Sequence, residues 1–160
     1  MKKILTLAIA HKHPKILFGM KKRVFGSGRW NVFGGKLEEG ESIEEAAKRE
    51  IEEEAGIKVL SLSKRGILDF EYQTGSKTLE VHIFSIDSYE GEPKESEEMK
   101  PQWFDISELP FDKMWPDDTY WLPFFLGGKK FKGRFLFDRP SDAEYSSKIL
   151  EKELFEVGSL

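Results

Sequence analysis

The segment that most restricts what this chain can become runs from Gly35 to Ile57. It reads Gly35-Lys36-Leu37-Glu38-Glu39-Gly40-Glu41, then seven residues, then Arg49-Glu50-Ile51-Glu52-Glu53-Glu54-Ala55-Gly56-Ile57. Ser42 to Ala55 is expected to be a helix, with Gly56 as its C-terminal stop. At about 100° per residue, with Ile43 at zero, Ala47 falls at about 40° and Ile51 at about 80°, which sets the inward stripe. Glu50 falls at about 340° and Glu54 at about 20°, on that same side, whereas Glu45, Lys48 and Glu52 fall opposite. An acidic helix is usually a solvated face, but inward carboxylates need either protons or a cation. A hard divalent ion held by oxygen, Mg²⁺ with Mn²⁺ as a substitute, meets that need. Arg49, four residues before Glu53, can brace it across one turn. Gly34, Gly35 and Gly40 let main-chain groups come close to metal and phosphate.

Every fixed position of Gly35 to Ile57 matches the pattern of the Nudix hydrolases, and the chain resembles that family. The resemblance implies an α/β (α+β) fold, the Nudix α/β/α sandwich in which two helices flank a mixed β-sheet. It implies cleavage of a nucleoside diphosphate linked to another group. It further implies that Glu50, Glu54 and the main-chain carbonyl of Gly34 hold the Mg²⁺, that Glu53 shares coordination or helps to activate water, and that Gly35 and Lys36 meet phosphate. Glu98, in Glu95-Ser96-Glu97-Glu98-Met99, reads as a remote ligand or base, or else as a solvated loop charge. No spacing decides which glutamate is the general base.

The rest of the chain is consistent with one domain, residues 1–160, because a chain of 160 residues with 39% hydrophobic content suits one sizeable core. A net charge of −4 gives no electrostatic case for duplex nucleic acid or an anionic membrane. The absence of cysteine removes disulfides and thiolate zinc sites and fits a cytoplasmic location, and a monomer is expected. The apolar start reads as a first strand, Ile4 to Ala10, rather than a signal peptide. Further strands are expected at Ile16 to Lys21, Lys58 to Ser63, Gly66 to Gln73, Thr78 to Ser88, Gln102 to Phe104 and Phe131 to Phe137. A second helix should open at Pro116 and end near Leu126, short or kinked at Pro123. Residues from about 141 to 160 read equally as strand or helix. His11, His13 and His82 lack ligand spacing and read as structural.

Aromatic residues point to a base pocket. Trp30, Phe33 and Tyr120 read as core, but Trp115 stands in Met114-Trp115-Pro116-Asp117-Asp118, an indole beside adjacent carboxylates. A stacking plane next to edge-reading polar groups is how proteins hold nucleobases. The runs from Gly19 to Asn31, Glu95 to Met99 and Phe111 to Trp121 resemble those of the animal-type Nudix hydrolases that clear 8-oxo-dGTP and 2-hydroxy-dATP from the nucleotide pool. That resemblance implies Asn31, Asp117 and Asp118 as base readers, Trp115 as the stacking plane, and Phe25 and Phe70 as walls. It places Thr6 and Lys21 near sugar or base, and Trp121 among the substrate-binding residues. Val32 and Leu79 depart from the resembling sequences, with a smaller residue and a methionine expected there. Two neighbouring carboxyls in an apolar pocket should share a proton, and moving that proton would fit the site to either base.

Overall fold

The computed structural model describes residues 2–22, 28–75, 77–140 and 147–160. Its strands are β1 (Lys2–Lys12), β2 (Lys15–Lys21), β3 (Trp30–Asn31), β4 (Phe33–Lys36), β5 (Lys58–Tyr72), β6 (Thr78–Glu90), β7 (Met99–Asp105), β8 (Lys130–Phe137) and β9 (Ile149–Val157). Two α-helices, α1 (Ile43–Ala55) and α2 (Asp118–Leu126), and a 3-10 turn at Phe111–Lys113 complete the described residues. The mixed sheet and two helices are those expected.

The strands are ordered β3-β2-β1-β6-β5-β8-β9, with β4 also paired to β1 and β7 to β2. β1 is the pivot. Its first half runs antiparallel to β4, from Leu5↔Lys36 to Ala8↔Phe33, while its end pairs with β2 at His11↔Ile16. One strand thereby changes neighbour along its length, and the sheet curls around the space between. β6 lies parallel to β1 through Thr6↔His82, and its alternate residues serve two cores. Val81 and Ile83 pack with Trp121 and Phe125 of α2, whereas Phe84 and Ile86 pack with Ala47 and Ile51 of α1.

α1 forms where expected, for reasons that lie in its ends. Ser42 Oγ accepts from the Glu45 N–H at 3.1 Å and Glu45 Oε1 accepts from the Ser42 N–H at 2.9 Å, a reciprocal cap contributing about 1 kcal/mol. Gly56, at φ 72°, closes the helix in the left-handed region.

Two expectations need correction, and one open alternative is decided. The strands foreseen at Lys58–Ser63 and Gly66–Gln73 are one strand, β5, because register shifts at Val59/Ser61, Ser61/Leu62 and Lys64/Gly66 carry the chain through the apparent gap. Tyr120, foreseen in the core, is 41% exposed and lies against Phe135 and under the Lys152 ammonium. The C-terminal stretch contains an edge strand, β9, antiparallel to β8. No helix among the described residues is long and apolar enough to cross a membrane.

Candidate active site

α1 brings its acidic residues to the Gly-rich strand β4. Glu54 is only 6% exposed, and its Oε1 accepts the Gly34 N–H at 2.9 Å. Burial, reinforced by the charge of Glu50 and opposed by that N–H, pushes the Glu54 carboxyl up to about 8. Burial also raises Glu50, against the pull of Arg49. Glu53 is different: its side chain is 63% exposed. A Cβ at Gly35 would stand 2.5 Å from the Glu50 carboxylate, so a side chain there would displace that carboxylate.

Arg49 ties this patch together. Its Nε donates to Glu41 Oε2 at 2.6 Å, its Nη1 to Glu50 Oε1 at 2.8 Å, and its Nη2 to the Lys36 carbonyl at 3.2 Å. The expected brace to Glu53 exists as a looser ion pair at 3.6 Å. The tighter partners, Glu41 and Glu50, decide where the guanidinium sits. Glu41 has no role in the sequence reading, although it ends the first half of the motif. Glu98 lies near enough to Glu54 to raise its carboxyl, and Lys21 near enough to lower it.

Among the described residues no three acidic or imidazole side chains already close around one point. Glu50 leans on Arg49 and Glu54 on Gly34. The donors are nonetheless all oxygen, with one buried carboxylate, Glu54, and one half-buried, Glu50, beside glycine backbone that a Cβ would crowd. Such a set fits a hard divalent cation that keeps part of its shell for water and phosphate.

A cavity of about 580 Å³ runs from this patch into the protein. Gly34, Gly35, Lys36 and Glu54 line it at the acidic patch, and Thr6 and Lys21 also border it. The expected base readers Asn31, Asp117 and Asp118 line it too, with Trp115 and Phe70. The Thr6 hydroxyl is buried with no hydrogen-bond partner.

The 3-10 turn and the start of α2 aim the acid pair. Asp117 Oδ2 accepts the Trp121 Nε1–H at 2.9 Å, and Asp118 Oδ2 accepts the Trp115 N–H at 3.2 Å. Burial raises both carboxyls, and the charge of Asp117 raises Asp118 further. Whichever of the pair holds a proton can donate a hydrogen bond, while the ionised one can only accept. The Trp115 indole N–H donates to Asn31 Oδ1 at 2.6 Å, while Asn31 Nδ2 donates to the Arg29 carbonyl at 2.7 Å. The Arg29 guanidinium lies 5.8 Å from the Trp115 ring and donates to the Met114 carbonyl.

One expected substrate-binding residue lies off the cavity. Trp121 is fully buried in the core and does not border the cavity; its indole N–H donates to Asp117. Gly34 presents its N–H to Glu54, a contact the sequence reading did not contain. Phe25 lies outside the described residues. Val32 and Leu79 do border the cavity. Tyr72, Met99 and Phe137 border it as well and were missed. Tyr72 was within reach of sequence reasoning, because a strand that turns Phe70 inward also turns the residue two further on. His11 and His82 are bonded at 2.7 Å to Ser85 and Glu80 respectively.

Comparison with known proteins agrees with this geometry. Residues 6–125 match the family described as the NUDIX domain. The chain is 50% identical over 145 residues to the oxidized purine nucleoside triphosphate hydrolase of Mus musculus, covering 90% of this chain and 93% of that protein. It is 48% identical over 158 residues to the protein of the same name from Danio rerio, covering 99% and 97%. The crystal structure of the MutT protein from Bacillus halodurans superposes with a TM-score of 0.80 at 29% identity, covering 95% of this chain and 97% of that one. With three quarters of its length matched and a fold held in common, the chain belongs to the Nudix family.

Proposed function

We propose that this protein hydrolyses oxidised purine nucleoside triphosphates, 8-oxo-dGTP and 2-hydroxy-dATP, to the monophosphate and pyrophosphate, and so keeps oxidised bases out of the nucleotide pool. The observation that carries this reading is one cavity joining the acidic face of α1 to an Asp-Asp pair beside an indole. The names of the mouse and zebrafish relatives support it.

In this reading Glu50 and Glu54, with the Gly34 carbonyl, hold Mg²⁺, and Mn²⁺ can replace it. Glu53 and Glu98 complete the acidic surroundings, one of them receiving the proton of the attacking water. The ion, when bound, neutralises charge on the non-bridging phosphate oxygens. Arg49 fixes the Glu50 carboxylate, and Gly35 and Lys36 lie along the phosphates. Phe70 and Phe25 wall the base and Trp115 stacks on it. Thr6 and Lys21 meet the sugar or the base rim, and Asn31, Asp117 and Asp118 read the base edge.

The shared proton gives the acid pair two hydrogen-bonding patterns. With Asp118 protonated it offers a donor and an acceptor side by side, and relocation of the proton reverses them. One pocket thus accommodates an oxidised guanine or an oxidised adenine. The protein is read as a cytoplasmic monomer acting through one domain, residues 1–160.

The deciding measurement is kcat/KM for 8-oxo-dGTP against dGTP with Mg²⁺, alongside ADP-ribose. A strong preference for the oxidised base is expected. Equal values for 8-oxo-dGTP and dGTP would remove the pool-cleansing role and leave only a family hydrolase.

A further inference from the structure

One polar group on the β5 side of the cavity has no part in the roles above. Tyr72 borders the same space as Asp117 and Trp115. Its ring is fixed by aromatic neighbours: it stacks on Phe137 at 5.8 Å and 26°, and Phe137 in turn meets Phe70 edge-on at 5.9 Å. The register places Tyr72 directly beside Phe137 across β5 and β8, so strand pairing sets the ring's position. Its hydroxyl makes no hydrogen bond among the described residues.

The other reading groups each have a prior commitment. Asp117 already accepts from Trp121, Asp118 from the Trp115 N–H, and Asn31 from the Trp115 indole. Burial and the nearby charge of Asp117 both raise Tyr72, so its hydroxyl stays neutral. A neutral hydroxyl rotates to donate or accept as its partner requires. Once a base displaces water, that hydroxyl must find a partner on the ligand or remain unsatisfied, and the difference separates ligands.

We propose that the Tyr72 hydroxyl is a specificity-determining group that hydrogen-bonds the purine edge beside Asp117 and sets the balance between oxidised guanine and oxidised adenine substrates. This rests on reading the cavity as an oxidised-purine site. The two bases present different donors and acceptors along a given edge, so one of them gains more from the hydroxyl. The aromatic ring supplies the wall for both, and the oxygen supplies the difference.

Tyr72→Phe removes the oxygen and keeps the ring. Steady-state kcat and KM are measured with 8-oxo-dGTP, 2-hydroxy-dATP and dGTP under Mg²⁺, with Tm as a check on folding. The expected result is a rise of about 2- to 12-fold in KM for one oxidised substrate, with kcat and Tm held, so that the ratio of kcat/KM between the two oxidised substrates moves by the same factor. Tyr72→Leu, which also loses the stack on Phe137, should lower kcat/KM for all three. An unchanged ratio in Tyr72→Phe, or an equal loss on every substrate, overturns the assignment while the wild-type preference for oxidised purines leaves the parent reading standing. A wild-type enzyme indifferent to oxidation would overturn both.

Discussion

Replacing Gly35 by alanine should silence the enzyme without unfolding it, whereas replacing its neighbour Gly34 should destabilise the fold itself. A Cβ on Gly35 would stand 2.5 Å from Cδ and Oε1 of Glu50 and 2.8 Å from Oε2. These atoms end a flexible side chain, so relief comes by rotating Glu50 away, which breaks its 2.8 Å bond to Arg49. Ordinary contact lies about 1 Å further out, and a displacement of about 1 Å at a positioned catalytic group costs on the order of 100-fold in rate. Folding should lose less than about 1 kcal/mol, because no backbone moves and glycine-to-alanine replacement stiffens the unfolded chain. At Gly34 the added Cβ would stand 1.9 Å from the Thr6 carbonyl oxygen, which is backbone in the β1–β4 pairing and cannot rotate. That overlap should cost about 3 kcal/mol or more, or roughly 6–12 °C in Tm. The assay is kcat at saturating substrate and Mg²⁺ together with thermal unfolding of both variants. Gly35→Ala within about threefold of wild-type kcat would refute the idea that the Glu50 carboxylate must stay where Gly35 allows it.

Arg49→Lys should lower kcat by about 10-fold or more with Tm little changed, since an ammonium cannot serve Glu41, Glu50 and the Lys36 carbonyl at once; kinetics equal to wild type would show the fork to be dispensable. The raised Asp118 carboxyl holds its proton more tightly folded than unfolded, so its contribution to stability is full below about pH 4 and is lost as pH rises through the folded value. Urea unfolding between pH 5 and pH 8 should therefore decline less in Asp118→Asn than in wild type, and equal declines would contradict the assignment. The same variant should reshape the preference between 8-oxo-dGTP and 2-hydroxy-dATP, because a carboxamide cannot exchange a proton with Asp117. Chelation should abolish turnover and Mn²⁺ restore it, whereas activity persisting in EDTA would remove the divalent ion from the proposal.

The motif from Gly35 to Ile57 was readable because its information is local. Helical periodicity fixes that Glu50 and Glu54 share a side with Ile51, and the structure sets both against β4, with Glu54 buried and Glu50 half-buried. Strand positions were legible for the same reason wherever apolar residues alternated. The reading failed where longer-range partners decide. β5 runs unbroken because β6 absorbs its bulges, and Tyr120 stays exposed because α2 turns Trp121 and Leu122 inward instead. Glu41 was passed over because its partner, Arg49, is chosen in space across the Gly-rich turn.

Sequence alone determined the chemistry available: an acidic helix with inward carboxylates, glycines that leave the backbone bare beside it, and an indole followed by two aspartates. Only the tertiary structure decided which of these groups meet. Asn31 and Trp115 are 84 residues apart in the chain yet joined by a 2.6 Å hydrogen bond, and the curl of β1 from β4 to β2 opens one cavity to both ends of the site. Periodicity is a property of a few neighbouring residues, whereas the convergence of a pocket depends on how strands far apart in the chain pair and how the sheet bends around its two cores.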